Sequence, residues 1–391
     1  MTAPAPYLTG DPRKVRVAIV HYWLVGMRGG ERVLEALCAM FPGADILTHV
    51  VVPEQISDAL LQHRIIQTRI GRLPFAARLY QSYLPLMPGA LEQLDLSGYD
   101  LVISSEAGPA KGVIAPPDAP HLCYCHSPMR YLWDQYHVYR AGAGALTRMA
   151  MPVLAPRLRL WDVTSAQRVD GFAANSRHVA ARIKKYWRRE ARVVHPPVAV
   201  SEFAPAARGA VEPYFLWAGE LAPYKRPEIA VEAFRRLDLP LVVIGGPENT
   251  VSGLKGRAGP KTRFLGKVPF AMLKHHLAHC RALVFPGEED FGIVPVEALA
   301  SGRPVIAYGR GGVKDTVKDG ETGVFFDDQS VDGLIDAVGR FEASGLADLD
   351  PAIAVQSAAR FSDDQFRLGI DAALSAIGYP VNRQAAFPVG G

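Results

Sequence analysis

The sequence predicts an α/β protein of two Rossmann-like domains facing each other across a cleft, and three observations carry that expectation. Short apolar runs alternate with helix-length segments, first between Val15 and Ser176 and again between Tyr214 and Glu342. A Pro- and Ala-rich connection from His195 to Pro213 separates the two series, and polar or glycine-rich loops follow the apolar runs. Alternating strands and helices build parallel sheets covered on both faces, so each series reads as one doubly wound unit. A chain of 391 residues with 49% hydrophobic content has enough apolar side chain for two cores.

In chain order, residues 1–13 form a Pro-rich lead expected to be disordered. Lys14–Val20 reads as a buried strand, His21–Gly30 as a loop, and Glu31–Met40 as an apolar-periodic helix. Gly29 and Gly30 let the backbone approach a bound group, but G-x-G-x-x-G is absent and no dinucleotide is implied. Tyr99–Ser105 reads as a strand bringing Ser104, Ser105 and Glu106 to its carboxyl end, and His121–Cys125 as a strand ending at His126. Ligands of open α/β sheets gather at the carboxyl ends of strands, which places His126 for chemistry. Val169–Ser176 reads as the last strand of this half.

The second half restarts with strand Tyr214–Ala218, helix Pro227–Leu237, strand Leu239–Ile244 ending in Gly245-Gly246-Pro247, strand Thr262–Gly266 and helix Ala271–Cys280. Arg281–Pro286 is a buried strand that delivers Glu288, Glu289 and Asp290 to its carboxyl end. Pro295 suits the first position of the following helix, and Gly302 lies just past its last. Strand Arg303–Tyr308, glycine turn Gly309–Gly312, strand Thr322–Phe326, helix Val331–Glu342 and an amphipathic helix Ser362–Ile377 complete the chain.

Two loops carry the chemistry. Gly292–Val294 form a helix N-terminus, whose unpaired N–H groups and roughly half a positive charge favour a phosphate. Glu297, read in the first turn of that helix, and Glu289, on the loop before it, aim two carboxylates at one ligand. Gly219–Pro227 is a strand exit that supplies Lys225 and Arg226, fixed cations suited to charge developing on a departing diphosphate. Carboxylates for sugar hydroxyls beside donors for phosphate describe a nucleotide-sugar site.

Glu289-x7-Glu297, with Asp290-Phe-Gly-Ile-Val-Pro295 between, resembles the E-x7-E signature of glycosyltransferase family 4, retaining enzymes of the GT-B fold. Through Leu84-Pro-Leu-Met-Pro88, Ser104-Ser-Glu106, His126-Ser-Pro-Met-Arg-Tyr131 and Trp161-Asp162 the chain is most similar to bacterial polysaccharide mannosyltransferases. The resemblance spans nearly the whole chain. It implies an acceptor domain over residues 1–205, with 362–391 crossing back to it, and a donor domain over residues 206–361.

The same resemblance implies roles. Lys225 binds the diphosphate, Glu289 the donor-sugar hydroxyls and Glu297 the ribose diol. Phe291, Gly292, Ile293 and Val294 hold sugar and diphosphate through the backbone, Leu265 borders the base, and His126 binds the donor sugar from the other domain. Gly29 and Gly30 approach the diphosphate or the acceptor, with Arg130 and Asn175 in the cleft wall. Many family members have Arg where this chain has Glu220, which leaves Arg226 or the other domain to supply a second cation. The implied reaction is transfer of mannose from GDP-mannose to a lipid-linked saccharide, with no metal and no resident cofactor. A UDP-sugar enzyme of the same family, another GT-B enzyme such as a phosphorylase or epimerase, and a non-catalytic nucleotide-sugar-binding partner of polysaccharide assembly are the alternatives.

Composition bounds the remaining classes. No apolar run reaches the ~18 residues of a membrane span and the N-terminus lacks a signal peptide's apolar region, so a cytoplasmic chain is expected. Its four cysteines do not form a disulfide framework, and Cys123-x-Cys125-His126 fits strand packing better than zinc. His275 and His279 read as a solvated helix face, and Asp348-Leu-Asp350 as a loop rather than a manganese site. A net charge of +4 without a nucleic-acid-binding motif excludes nucleic acid as the expected partner. Between Asp58 and Glu92 there is no acidic residue, while Arg64, Arg69, Arg72 and Arg78 alternate with apolar residues on what reads as broken helices. With Lys184, Lys185, Arg188 and Arg189 around Tyr186 and Trp187, that pattern suggests contact with an anionic membrane surface, on the inner face of the cell membrane.

Overall fold

The computed structural model describes residues 15–380 except Arg208, Pro247 and the side chains of 248–250. The lead over residues 1–13, Lys14 and the last eleven residues, 381–391, lie outside the described residues. The chain divides into two compact units, one of residues up to Pro196 together with Phe366 onward, the other Pro197–Gln365.

The first unit holds a seven-stranded sheet in the order β3-β2-β1-β4-β5-β6-β7. Its strands are β1 (Val17–His21), β2 (Asp45–Thr48), β3 (Ile65–Gln67), β4 (Leu101–Glu106), β5 (His121–Cys125), β6 (Gly171–Ala174) and β7 (Arg192–Val193), all pairing parallel. β1, β4 and β5 are buried along their whole length, as continuous apolar runs between two helical layers require. The segment around Ile65 and Ile66, expected to be helical, is the edge strand β3, and the strand at Phe172 is not the last, because β7 pairs beyond it.

The second unit holds β8 (Phe215–Ala218), β9 (Leu241–Ile244), β10 (Thr262–Gly266), β11 (Leu283–Phe285), β12 (Val305–Tyr308) and β13 (Gly323–Phe326), ordered β10-β9-β8-β11-β12-β13 and parallel. Both sheets reverse their direction of winding once, between β1 and β4 and between β8 and β11. At such a point the loops leave in opposite directions and open a crevice at the carboxyl ends of the strands.

The chain enters the second unit at Pro197, earlier than position 206. Val198 and Phe203 lie in a Pro- and Ala-rich stretch that reads as linker, yet both are buried in the second core. The Val198 N–H donates to the Phe361 carbonyl at 2.8 Å.

The terminal helix Asp363–Ala376 packs Phe366, Ile370 and Leu374 into the core of the first unit with Tyr124 and Val194. Phe366 meets the Tyr124 ring edge-on at 5.6 Å. Phe366→Ala is therefore expected to destabilise the first unit by about 3–5 kcal/mol, read as a lowered midpoint in thermal or urea unfolding. An unchanged midpoint would contradict this packing. Among the described residues no helix is long and apolar enough to cross a membrane.

Candidate active site

In the second unit the β8 and β11 loops meet at the winding reversal. Lys225 ends a short 3-10 turn, Pro223–Lys225, after β8, and its Nζ lies 2.8 Å from Glu289 Oε1 on the loop after β11. The loops touch through their backbones, since a Cβ on Gly287 would stand 2.7 Å from Lys225 Cα. Both charged side chains are mostly shielded, at 14% and 17% exposed. Burial works against the Lys225 ammonium, but Glu289 outweighs it and holds the pKa above the ordinary lysine value. The cation is permanent at neutral pH.

The helix after Glu289 runs Ile293–Ala300, with Gly292 as its cap at φ 85, a left-handed conformation that favours glycine. Pro295 is its third residue rather than its first. The first four N–H groups of a helix have no internal partner, so proline is tolerated there as well. Glu297 consequently lies one turn inside the helix and not in its first turn. Phe291 is buried against Phe361, its ring serving the core beside the helix start, while Ile293 and Val294 are half-buried.

Burial pushes the Glu297 carboxyl up to about 7, partly countered by Lys225. A carboxyl whose pKa is raised by folding stabilises the native state while protonated, and that contribution is lost as pH rises from about 4.5 through 7. Stability should fall over this window, and Glu297→Gln should flatten the fall. Urea midpoints measured across it test this, and equal slopes in the two proteins would refute it.

The remaining predicted donor residues are placed less centrally. Arg226 has φ 53 at the start of helix Pro227–Leu237, and its Nε lies 3.1 Å from Glu228 Oε1, so its side chain pairs with its own helix. Glu220 is exposed, and Leu265 lies on β10, the edge strand. Two supports went unread in the sequence. A Cβ on Gly312 would stand 2.2 Å from the Asp290 carbonyl and 2.3 Å from Phe291 Cα, and the Gly312 N–H donates to the Glu289 carbonyl at 2.8 Å. Gln329 Nε2 donates to the Pro286 carbonyl at 2.9 Å.

In the first unit His21 ends β1 and pairs in register with Ser105 on β4, at that sheet's winding reversal. Ser105 Oγ lies 3.0 Å from His21 Nδ1 and 2.8 Å from His126 Nε2, so one hydroxyl ties the two imidazoles together. His21 Nε2 lies 3.8 Å from Glu31 Oε1. Burial works against the Glu31 carboxylate, but His21 and backbone donors, among them the Arg28 N–H at 2.9 Å, hold its pKa below the ordinary value.

Gly29 and Gly30 are the first residues of helix Gly29–Met40 rather than the end of a loop. A Cβ on Gly30 would stand 2.3 Å from Tyr22 Oη and 3.8 Å from His126 Nε2, so Gly30 and His126 share one site. Asn175 Nδ2 donates to the His126 carbonyl at 2.9 Å, which makes Asn175 a clamp on the His126 backbone. Arg130 lies further along the same loop, half-buried.

Cys123 and Cys125 are free and buried on one face of β5, against Phe172, Ala174 and Val179. His275 and His279 stack on each other at 4.0 Å. The Asp350 carboxylate caps helix Pro351–Ala358. Among the described residues no group of three or more His, Cys, Asp or Glu could hold a metal ion.

Two family models match the chain in tandem, "Glycosyltransferase Family 4" over residues 27–202 and "Glycosyl transferases group 1" over residues 202–354. A D-inositol 3-phosphate glycosyltransferase of Mycobacterium sp. (strain KMS) is 32% identical over 190 residues, 44% of this chain and 43% of its own length. The match thus spans less than half of that relative. Sucrose-phosphate synthase from Thermosynechococcus elongatus shares the fold with a TM-score of 0.71 at 20% identity, over 93% of this chain and 99% of that one. Anabaena HepE in complex with UDP and glucose does so with a TM-score of 0.67 at 18% identity, over 93% and 100%. Two matched glycosyltransferase domains that meet at residue 202, and a GT-B fold shared along the chain, make this protein a glycosyltransferase of the GT-B type.

Proposed function

We propose that the chain transfers a hexose with retention from a nucleotide sugar to a lipid-linked saccharide in bacterial polysaccharide synthesis, with mannose from GDP-mannose as donor and without a metal ion. It would act in the cytoplasm, on the inner face of the cell membrane. The observation that carries the transfer reading is the Lys225–Glu289 pair at 2.8 Å beside the helix start at Gly292. Without donor, each charge neutralises the other. When donor binds, its diphosphate takes Lys225 as partner and the sugar hydroxyls take Glu289. As the sugar–phosphate bond breaks, negative charge grows on the departing diphosphate, and a fixed ammonium stabilises it without reorganising.

In this reading Glu297 accepts from the ribose hydroxyls, Phe291–Val294 offer backbone N–H groups, and Leu265 borders the base. His126 and Gly30 serve a sugar, with Gly29, Arg130 and Asn175 around the acceptor. The fold shared with HepE, described with UDP and glucose, favours a UDP-sugar as the second reading.

Calorimetric titration of the purified protein with GDP, UDP and ADP, with and without EDTA, tests the donor. GDP should bind tightest and indifferently to chelator. Tightest binding of UDP would replace the donor, EDTA sensitivity would overturn metal independence, and binding of none would favour the non-catalytic alternative.

A further inference from the structure

We propose that the first unit docks on an anionic lipid bilayer through the helix Ala145–Ala166 and the arginine-bearing segment packed beside it. Leu146, Met149, Val153 and Leu160 recur at helical spacing on this helix and are all exposed, Leu146 at 83% and Met149 at 76%. Val138, on the preceding helix Tyr136–Gly142, is exposed as well. No Asp or Glu occurs between Asp134 and Asp162, whereas Arg148 and Arg157 are exposed in that stretch.

The acid-free stretch between Asp58 and Glu92 is its neighbour, since Leu84 packs both with Ile70 and Met87 and with Leu132, Ala155 and Leu158. Within it Phe75 is 77% exposed while held at φ 52, a left-handed conformation costly for a bulky residue. Strain that keeps an aromatic ring in water points to something that receives the ring.

The arginines narrow the choice of partner. Arg64 lies 3.7 Å from Asp45 and Arg69 donates to Gln93, so these two are engaged. Arg72, Arg78, Arg148 and Arg157 pair with no carboxylate among the described residues. The cluster at Lys184–Arg189 does not belong to this face. Trp187 is fully buried with its Nε1 on Asp162, Tyr186 stacks on Trp133, and Lys184 pairs with Glu190. A second copy docking symmetrically would bring the same arginines face to face. Arg148 donates to the Ala143 carbonyl at 2.9 Å, which leaves its charge without a counterion. Arginines with no carboxylate partner around exposed apolar side chains, with no acid between them, match an anionic headgroup layer over acyl chains.

The inference rests on the proposed placement at the membrane and deepens it by naming the surface. It is tested without nucleotide sugar, so its failure leaves the transfer reading standing. The full chain is sedimented with vesicles of phosphatidylcholine, with and without phosphatidylglycerol. Binding should require phosphatidylglycerol and weaken with salt. Arg148→Ser with Arg157→Ser should lower the partition coefficient roughly 30-fold, at about 1 kcal/mol per arginine near the surface. Leu146→Ser with Met149→Ser, two exposed positions, should lower it about 10-fold or more with the circular dichroism spectrum unchanged. Equal binding to neutral vesicles, no binding, or variants that bind like the parent would overturn the proposal. So would a parent that sediments as a dimer which the Leu146 and Met149 changes dissociate.

Discussion

Lys225→Ala is expected to lower kcat by about 10²–10³-fold, the loss typical of removing one preorganised donor from developing negative charge. The ammonium is held by Glu289 at 2.8 Å and its pKa stays above the ordinary lysine value, so no pH near neutrality discharges it in the parent enzyme. Truncation also leaves the half-buried Glu289 carboxylate without this partner, so unfolding is measured alongside activity. Lys225→Arg keeps the charge but replaces a compact ammonium with a planar fork, and should recover stability more fully than rate. A Lys225→Ala enzyme within about threefold of the parent kcat, a difference of under 1 kcal/mol in barrier, would remove this residue from the mechanism.

Gly312→Ala is expected to lower kcat by about 100-fold and to weaken nucleotide binding, while leaving Lys225, Glu289 and Glu297 in the sequence. The added methyl would meet the Asp290 carbonyl at 2.2 Å and Phe291 Cα at 2.3 Å, both backbone atoms, so the loop itself must shift. Overpacking of this kind costs about 1–3 kcal/mol, and it displaces the segment between Glu289 and Gly292. A site misplaced by about 1 Å loses rate by two orders of magnitude. Titration calorimetry with the best-binding nucleotide checks it, and parental affinity would mean the loop yields without cost.

Most of the architecture was legible because it rests on local pattern. Runs such as Val17–His21 and Leu283–Phe285 are too apolar and too short for anything but strands buried on both faces. The loop after β11 was legible because Glu289, Gly292 and Pro295 lie within one short segment whose chemistry is local. Glu297 was misplaced by two residues, about half a turn, because proline is tolerated throughout a helix's first turn, which leaves the start undetermined within a few residues. Ser105 was placed at a strand's carboxyl end, but its meeting with His21 escaped notice for a different reason. Their meeting depends on the pairing register of β1 with β4, far apart in sequence, and nothing near either residue announces it. Gly312 beneath Asp290 is likewise a contact between separate loops, and Trp187, read as part of a surface cluster, is drawn inside by Asp162.

The terminal helix imposes an order on biogenesis. Phe366, Ile370, Ala373 and Leu374 sit in a core whose other members, from Val17 to Val194, leave the ribosome long before them. During synthesis the first unit therefore waits with an unfilled apolar seat facing Tyr124 and Val194, while the whole second unit is still being made. Domains that normally complete themselves in order of emergence are here obliged to finish in reverse, the first closing only after the second. Nascent chains stalled before Phe366 should accordingly be more readily proteolysed in their first half than chains stalled after Ile377.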